Sequence, residues 1–333
     1  MSRLAEVLPE NLADHFAVQT WNHLRSGSAE PESLQIFKCK KKTAVYRLAG
    51  MGPEGSAVIA KRCCARTAEV ERLIYQEMLP RLNLPALRCF DFKRESASDF
   101  SWLFLEEAVG SDYSPFDFAH RVMAGEWLGA LHTAASELGP LPGLPNRDCH
   151  HYLHLLHSVE NKIQMLLGNP AVPAADRPML HTLTNYCELV ETHWPALEDK
   201  CSGVPATIVH GDLAIKNVRV RSTPTCPALL VFDWENAGWG VPATDLAQFI
   251  GRTLSPDLAT YTLAAAQGGV SLEFRAAERL AECGNFFRLL DDMAWACNAM
   301  MEDSYAYLLK PLSYLRSYGR RLDKLLRAAG WAA

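Results

Sequence analysis

The hydrophobic pattern changes character about a third of the way along the chain. Before residue 115, short apolar runs bounded by turn-forming residues predict five strands and, between the third and fourth of them, one helix over residues 68–82. After residue 115, apolar residues recur at helical spacing. The predicted strands are 33–37, 44–48, 57–60, 87–92 and 101–105. The pattern therefore predicts a strand-rich part followed by a mainly helical part.

Further helices are predicted at both ends of the chain and in its middle. Residues 1–33 form a helical lead-in, and residues 152–199 are predicted as two helices with a proline-rich break at 169–178. Residues 256–328 are also helical by pattern, and leucines at helical spacing near the end predict an amphipathic terminal helix.

One segment interrupts the helical part with strand-like runs that deliver polar residues. An apolar run beginning at Thr207 leads into His-Gly-Asp at 210–212, and Asn217 follows five residues after Asp212. A second apolar run, 228–232, leads directly into Asp233. This arrangement gathers two carboxylates and an amide at strand ends. Such oxygen ligands suit a hard cation such as Mg²⁺.

The order H-G-D-x-x-x-x-N followed by a strand ending in D-W-E resembles the catalytic segment of the aminoglycoside phosphotransferase/choline kinase family. The resemblance covers about residues 35–250. It implies an α+β, bilobal protein-kinase-like fold, in which a five-stranded antiparallel sheet with a helix precedes a mainly helical lobe. On this basis residues 1–108 are predicted to form the nucleotide-binding lobe and residues 109–333 the catalytic and substrate-binding lobe.

The resemblance also implies an activity and a role for each polar residue. The expected reaction transfers the γ-phosphate of ATP to a hydroxyl group of a small molecule, with Mg²⁺. Asp212 would accept or orient the proton of the attacking hydroxyl, and Lys216 would contact the γ-phosphate. Asn217 and Asp233 would hold the metal, while Glu235 would bind a second ion through water or cap a turn.

Lys61, at the end of the third predicted strand, resembles the kinase lysine that grips the α- and β-phosphates. Its partner should be a glutamate on the following helix. Glu71 fits the family spacing, whereas Glu77 shares a face with Val70 and Ile74, where a buried carboxylate would need a cation. Glu71 is preferred, and an exposed position for both glutamates is the alternative.

Two further stretches belong to the expected nucleotide site. Backbone groups near Glu106 and Ala108 would pair with the adenine edge, as at the interlobe hinge of the family. Lys41 and Lys42 lie at the family's nucleotide-loop position, but no glycine accompanies them. They would contact phosphate in place of backbone N–H groups, or form the solvated tip of a hairpin.

Three residues are expected to support the site from within the core. His210 would fix the catalytic loop by hydrogen bonding, and Asp245 would hold the same loop through backbone N–H groups. His132, on the helix at 118–137, is interpreted as a satisfied core residue.

Two clusters leave other functions open. His150, His154 and His157 share a predicted helix face, and such a cluster could bind zinc in a hydrolase. The acid-rich stretch within residues 291–303 would meet a cationic substrate, or form an exposed helix face. Its members are Asp291, Asp292, Glu302 and Asp303.

Composition narrows the class of protein. A net charge of −5 argues against a general nucleic-acid binder, which needs a basic face. The ten cysteines contain no C-x-x-C pair, which favours free thiols and a cytoplasmic location. No apolar stretch reaches the ~20 residues of a membrane helix. The remaining alternatives are a protein kinase and a non-catalytic nucleotide-binding module.

Overall fold

The computed structural model describes residues 5–6, 12–96, 98–224, 226–249, 252–300 and 305–332. They belong to two compact units. The first comprises Met1–Tyr113, Leu141–Leu144 and Lys216–Ala237, and the second comprises Ser114–Pro140, Pro145–Ile215 and Gly238–Ala333. The lobe boundary expected after residue 108 stays a prediction.

The strands and helices follow in chain order. The strands are β1 (Ala5–Glu6), β2 (Leu34–Lys40), β3 (Thr43–Leu48), β4 (Val58–Cys64), β5 (Cys89–Arg94), β6 (Phe100–Glu106), β7 (Ser111–Asp112), β8 (Asn146–Arg147), β9 (Thr207–Val209), β10 (Val218–Arg221), β11 (Ala228–Val231) and β12 (Gly238–Gly240). The helices are α1 (Phe16–Arg25), α2 (Ala65–Arg72), α3 (Phe118–Leu138), α4 (Cys149–Gly168), α5 (Arg177–Thr192), α6 (Trp194–Cys201), α7 (Leu258–Gln267), α8 (Phe274–Ala299) and α9 (Tyr305–Ala328).

The first unit contains an antiparallel sheet in the order β1-β2-β3-β4-β6-β5. The five predicted strands are all present, and the two-residue β1 adds an edge. The predicted boundaries differ from the observed ones: β5 lies two residues later than predicted, and β2 and β4 extend beyond their predicted ends. The β2–β3 ladder continues to Lys40 opposite Thr43, which leaves only Lys41 and Lys42 in the turn. Backbone pairing also carries β4 on to Cys64, because ladder hydrogen bonds do not require apolar side chains.

The two faces of this sheet have different environments because side chains alternate along each strand. Val58 and Ala60 of β4 belong to a buried cluster that includes Val18 and Trp21 of α1. Ile59 and Lys61 alternate with them and line a pocket. The sheet therefore has one closed apolar face and one face that carries polar chemistry.

Helix α2 begins at Ala65, directly after β4 and three residues earlier than predicted. It continues as a π-helical stretch over Leu73–Met78 and a 3-10 turn over Leu79–Arg81. The proline at position 80 explains this end, because its ring removes a backbone donor and disfavours a continuing α-helix. A second sheet of the first unit has the order β11-β10-β7.

The second unit is mainly helical, as predicted. The expected helix at 118–137 is α3, which begins after the N-cap Asp117 and ends at Gly139. The prediction of two helices over 152–199 was wrong, since α4, α5 and α6 are present. Pro195 lies at the start of α6 and favours a new helix there, because proline lacks the N–H that a continuing helix needs.

The remaining elements of this unit complete its core. The strands β8, β12 and β9 form a small sheet, and α3 packs against α7 while α8 packs against α4 and α9. Leu312, Leu315, Leu322 and Leu326 of α9 are buried, as the amphipathic pattern predicted.

Within the described residues, no helix has the combination of length and apolar character that crossing a membrane requires. All ten cysteines are free thiols.

Candidate active site

Lys61 is the centre of a charge cluster in the first unit. The residue is 5% exposed, and its Nζ lies 2.9 Å from Glu71 Oε2 and 3.5 Å from Glu235 Oε2. It also donates a hydrogen bond to Asp233 Oδ1. Three carboxyl groups thus surround one ammonium group. Burial raises the pKa of Glu71 to about 7, but Asp233 and Glu235 alone outnumber the single cation, so the cluster has an excess of negative charge.

These carboxylates keep Lys61 charged. Burial alone would lower its pKa, but the charges of Glu71, Asp233 and Glu235 outweigh burial and raise the pKa well above its usual value. A buried ammonium in such surroundings is a fixed positive charge at physiological pH. It can therefore act as a permanent electrostatic contact for an anionic ligand.

The partner of Lys61 is Glu71, the preferred candidate. Glu71 is fully buried on α2, which starts one residue after β4 ends and so faces the polar side of the strand. Glu77 instead accepts a hydrogen bond of 2.8 Å from Arg72 Nη1, and its side chain is 43% exposed. The apolar face that suggested Glu77 is interrupted by the π-helical stretch, which changes the helical spacing after Arg72.

Asn217 and Asp233 flank a two-stranded ribbon of the first unit. Val218 of β10 pairs with Val231 of β11, and the N–H of Phe232 donates to the Asn217 carbonyl at 3.0 Å. Asp233 has a left-handed backbone, with φ of 68° and ψ of 57°, which is uncommon for a residue other than glycine. This conformation turns the chain away from β11 immediately after its last apolar residue.

A pocket of about 430 Å³ adjoins the charge cluster. Its apolar lining residues are Phe37, Val45, Ile59, Leu87, Leu105 and Phe232. Lys61, Glu71 and Asp233 line the same pocket, as do Glu106 and Ala108. The cavity thus combines an apolar slot with a charged end, a composition typical of small-molecule sites.

The backbone at 106–108 leaves a donor available. The N–H of Glu106 donates to the Arg88 carbonyl at 2.9 Å, and its carboxylate pairs with Arg221 at 2.6 Å. The N–H of Ala108, by contrast, has no hydrogen-bond partner among the residues that the structure describes. A lining backbone donor of this kind suits the acceptor edge of a heterocyclic base.

Two basic residues of this pocket were not predicted from the sequence. Lys38 and Arg219 line it, whereas Lys41 and Lys42 are exposed at the hairpin turn and are absent from its lining. Lys38 lies in β2, three residues from the turn. A strand extended to Lys40, rather than ended at Phe37, would have indicated it.

Asp212 belongs to the second unit, in a loop that is held by hydrogen bonds. Gly211 has a φ of +76°, which glycine adopts without strain. Asp245 accepts hydrogen bonds from the N–H groups of His210 at 2.8 Å and Gly211 at 3.2 Å. This is the loop-holding role expected for Asp245, which is 2% exposed.

The charge of Asp245 is supported from within the core. Burial would raise its pKa, but His132 and His210 outweigh burial and lower it. His132 is itself buried, with Nε2 3.5 Å from Asp245 Oδ2 and Nδ1 3.2 Å from the Tyr261 hydroxyl. His132 is therefore a core residue, as interpreted, but it is only partly satisfied, because its Nε2 has no hydrogen-bond partner among the described residues.

Arg288 is the principal residue that the sequence reasoning missed. It lies on α8, is 8% exposed, and donates from Nη2 to Asp212 Oδ1 at 2.7 Å and from Nη1 to the Gly211 carbonyl. Burial would lower its pKa, but the charge of Asp212 raises it. The available indication was an arginine within the apolar run of residues 286–290, where a buried cation needs a partner.

Gly284 brings α8 close enough for this contact. A Cβ at Gly284 would lie 1.8 Å from the Ala243 carbonyl oxygen, in the same turn as Asp245. Glycine therefore permits a backbone approach that any other residue would block. The turn that holds the Asp212 loop and the helix that carries Arg288 are packed on each other in this way.

The acid-rich stretch is paired with arginines. Asp291 Oδ1 lies 3.1 Å from Arg147 Nη1, and Asp292 Oδ2 lies 3.0 Å from Arg321 Nη1. The other two members, at positions 302 and 303, lie outside the described residues.

The histidine cluster lies on α4 and is exposed. His150 and His154 have their Nε2 atoms 2.9 Å apart, and His157 Nε2 lies 2.8 Å from Glu191 Oε1. No group of three or more His, Cys, Asp or Glu side chains in the described ranges has the geometry to hold a metal ion. The zinc-hydrolase alternative therefore lacks support in this part of the chain.

The structure brings together Lys61, Glu71 and Asp233 and places Asn217 beside the strand that leads to Asp233. Lys216 is exposed in the 3-10 turn Ile215–Asn217. The roles assigned to all of these residues, and the convergence of Asp212 with Asn217 and Asp233 around one metal ion, stay predictions.

Two of three comparisons with known proteins found matches. Residues 62–291, more than half of the chain, match the model of APH, a phosphotransferase enzyme family. A search of curated proteins found no match. Solved structures do match, and they confirm the predicted protein-kinase-like fold.

Three of the matching structures show the degree of similarity to this chain. The GDP and kanamycin complex of APH(2")-IIia has a TM-score of 0.60 and 11% identity, over 90% of this chain and 97% of that one. Spectinomycin phosphotransferase APH(9)-Ia, with ADP and spectinomycin, has a TM-score of 0.59 and 10% identity, over 92% and 97%. Choline kinase from Cryptosporidium parvum Iowa II has a TM-score of 0.60 and 10% identity, over 90% and 90%.

Proposed function

Because the chain belongs to the phosphotransferase enzyme family, we propose that it transfers the γ-phosphate of ATP, in the presence of Mg²⁺, to a hydroxyl group of a small molecule. The observation that carries this proposal is the position of Lys61, buried in β4 between Glu71 and Asp233. Phosphoryl transfer asks the protein mainly to position charged groups and to neutralise them. A permanently charged lysine fixed by two carboxylates is suited to that task.

The first unit supplies a fitting nucleotide pocket. Its volume of about 430 Å³ lies within the usual range of small-ligand sites, and its apolar walls suit the faces of a purine. The free N–H of Ala108 would donate to the base, and Lys61 would contact the phosphates. Family relatives have been solved with ADP and with GDP, so both nucleotides belong in the test.

The residues present fit Mg²⁺. The carboxylates of Asp233 and Glu235 and the amide of Asn217 are hard oxygen donors, and the cluster around Lys61 has an excess of negative charge. A bound Mg²⁺ would neutralise phosphate charge there. Asn217 and Asp233 would hold the ion, as the sequence suggested.

The second unit supplies the group for the acceptor. Asp212 would accept the proton of the acceptor hydroxyl, and Arg288 stabilises the ionised carboxylate that this step needs. Asp245 fixes the backbone of the loop on either side of Gly211. Arg288 and Asp245 therefore keep Asp212 in a fixed position, as general-base catalysis requires.

The test is a nucleotide-consumption assay with the purified chain. Hydroxylated small molecules are offered with ATP or GTP, with Mg²⁺ or with a chelator, and a protein extract serves as a separate acceptor. Mg²⁺-dependent turnover with a small-molecule acceptor is expected. Phosphorylation of protein alone would replace the proposal by a protein kinase, and nucleotide binding without turnover on any acceptor would replace it by a binding module.

A further inference from the structure

Arg321 has unused hydrogen-bonding capacity at the surface of the second unit. It lies on α9, with its guanidinium 4.3 Å above the ring of Phe249, and donates one hydrogen bond, to Asp292. An arginine has five N–H donors in a planar fork. The other four donors of Arg321 have no partner among the described residues.

Arg252 is a second arginine, and its backbone is hydrogen-bonded to Phe249, the residue whose ring lies under Arg321. The N–H groups of Arg252 and Thr253 both donate to the Phe249 carbonyl at 2.9 Å. The Arg252 side chain is exposed and has no hydrogen bond or ion pair in the described part of the chain. The two arginines repel each other: burial lowers the pKa of Arg321, Asp292 opposes this, and the charge of Arg252 lowers it further.

Thr253, the residue after Arg252, is held by several hydrogen bonds. Thr253 is 4% exposed, and its Oγ1 donates to the Ala247 carbonyl at 2.8 Å and accepts from the Phe249 N–H at 3.0 Å. The backbone of Arg252 therefore has a defined position, which a binding residue needs if little ordering is to be lost on ligand binding.

Thr253 also adjoins the loop of Asp212. Thr253 forms a β-bridge with Ala214, two residues after Asp212. On the other side, Asp292 follows Arg288 by one helical turn, so the partner of Arg321 and the partner of Asp212 lie on the same face of α8. The two arginines thus lie within the environment of the proposed base.

Each of the two acids in this environment has an arginine partner, and the second oxygen of Asp291, which has no hydrogen-bond partner among the described residues, is buried away from solvent. Asp291 is paired with Arg147, which is buried, and Asp292 is paired with Arg321. A polycationic acceptor would have to compete with these guanidiniums for each carboxylate. Removing the partner from a buried charge is strongly unfavourable, so such competition would be weak.

We propose that the acceptor carries an anionic oxygen group, a carboxylate or a phosphate, which Arg252 and Arg321 bind beside the Asp212 loop. The forked donors of two neighbouring guanidiniums match the oxygens of such a group. This specificity deepens the proposed function and rests on it, since the bound molecule is the one whose hydroxyl would be phosphorylated.

The test uses four probes that share a three-carbon skeleton: D-glycerate, glycerol 3-phosphate, glycerol and 3-amino-1,2-propanediol. Each is titrated by ligand-observed NMR into the protein saturated with MgADP, so that anions cannot occupy the nucleotide pocket. The two anions are expected to bind about tenfold more tightly than the neutral and cationic probes. The glycerate and glycerol phosphate arms show whether carboxylate or phosphate is preferred.

The variants Arg252→Gln and Arg321→Gln should each weaken anion binding about tenfold. Arg252 is exposed and unpaired in the described part, so its replacement leaves the fold intact. Arg320→Gln is the matched control, because it removes the same charge from an exposed neighbour on α9. It should leave binding unchanged.

Several results would overturn this inference: undetectable anion binding, equal binding of the amine or glycerol, or an equal loss in Arg320→Gln. The proposed function is judged separately, by Mg²⁺-dependent nucleotide turnover with the acceptor panel. Turnover of amines that is insensitive to both arginine variants would leave the function standing and remove only the anionic specificity. Anion binding without turnover on any acceptor would keep the anion-binding site, but it would remove the proposed function and with it the claim that the bound anion is the acceptor.

Discussion

The two compact units handle buried charge in opposite ways. In the first, Lys61 faces three carboxylates, so the cluster carries excess negative charge. In the second, Asp212, Asp291 and Asp292 are each matched by one arginine. The difference indicates that the first cluster is completed by added cations, whereas the second is neutral as built. A region of the first kind suits metal and nucleotide, and one of the second kind suits a held base.

The largest expected effect tests Asp212, the proposed base in the second unit. Asp212→Asn keeps an oxygen for Arg288 but cannot accept the hydroxyl proton, so kcat should fall about 10²–10⁴-fold. Nucleotide affinity, measured by calorimetry with MgADP, should change little. The control Asp323→Asn removes a surface carboxylate of the same unit and should keep full turnover. Normal turnover in Asp212→Asn would contradict the mechanism.

The next effect tests which glutamate supports Lys61 in the first unit. Glu71→Gln weakens a charge-assisted contact with Lys61, worth ~1.5–3 kcal/mol, so kcat/KM should fall about tenfold or more. Glu77→Gln makes the same chemical change on an exposed residue that pairs with Arg72, and it should behave like the wild type. Steady-state kinetics with ATP separates the two. Equal losses would remove the special role of Glu71.

A smaller effect tests the packing that places Arg288. Gly284→Ala would force α8 away from the Ala243 carbonyl, and it should lower the free energy of unfolding by ~1–3 kcal/mol. Gly168→Ala, near the end of α4, adds the same methyl group where no atom lies within 4 Å. It should be neutral or gain up to ~1 kcal/mol. Urea denaturation monitored by circular dichroism measures both variants, and a stable Gly284→Ala would count against the close approach.

The smallest effect concerns acid sensitivity in the second unit. Burial, assisted by the charge of Arg147, lowers the pKa of His151 to about 4. Between the unfolded value of 6.5 and pH 4, the unfolded chain therefore binds more protons, and stability falls as the pH falls. Because His151 is only partly buried, the loss should be about 1–2 kcal/mol.

His151→Asn removes this titration and keeps a polar side chain next to Arg147. The thermal unfolding midpoint of the variant should therefore decline less between pH 6.5 and pH 4 than that of the wild type. Parallel declines for the two proteins would show that His151 is not the group responsible.

The sequence by itself determined the sheet, most of the helices and the polar residues of the site. Alternating apolar runs specify strands, and the spacing of Asp212, Asn217 and Asp233 is fixed by covalent connection. The family match over residues 62–291 agrees with that interpretation. Local pattern was sufficient here because each of these features is contained within a few tens of consecutive residues.

Only the tertiary structure decided which charged side chains pair with each other. The contact of Arg288 with Asp212 joins residues 76 positions apart, and the contact of Asp292 with Arg321 joins residues 29 positions apart. The π-helical stretch Leu73–Met78, which contains Glu77, likewise leaves no mark in the spacing of apolar residues. Ion pairs and close helix approaches depend on which surfaces meet in space, and periodicity along one element carries no information about the element that packs against it.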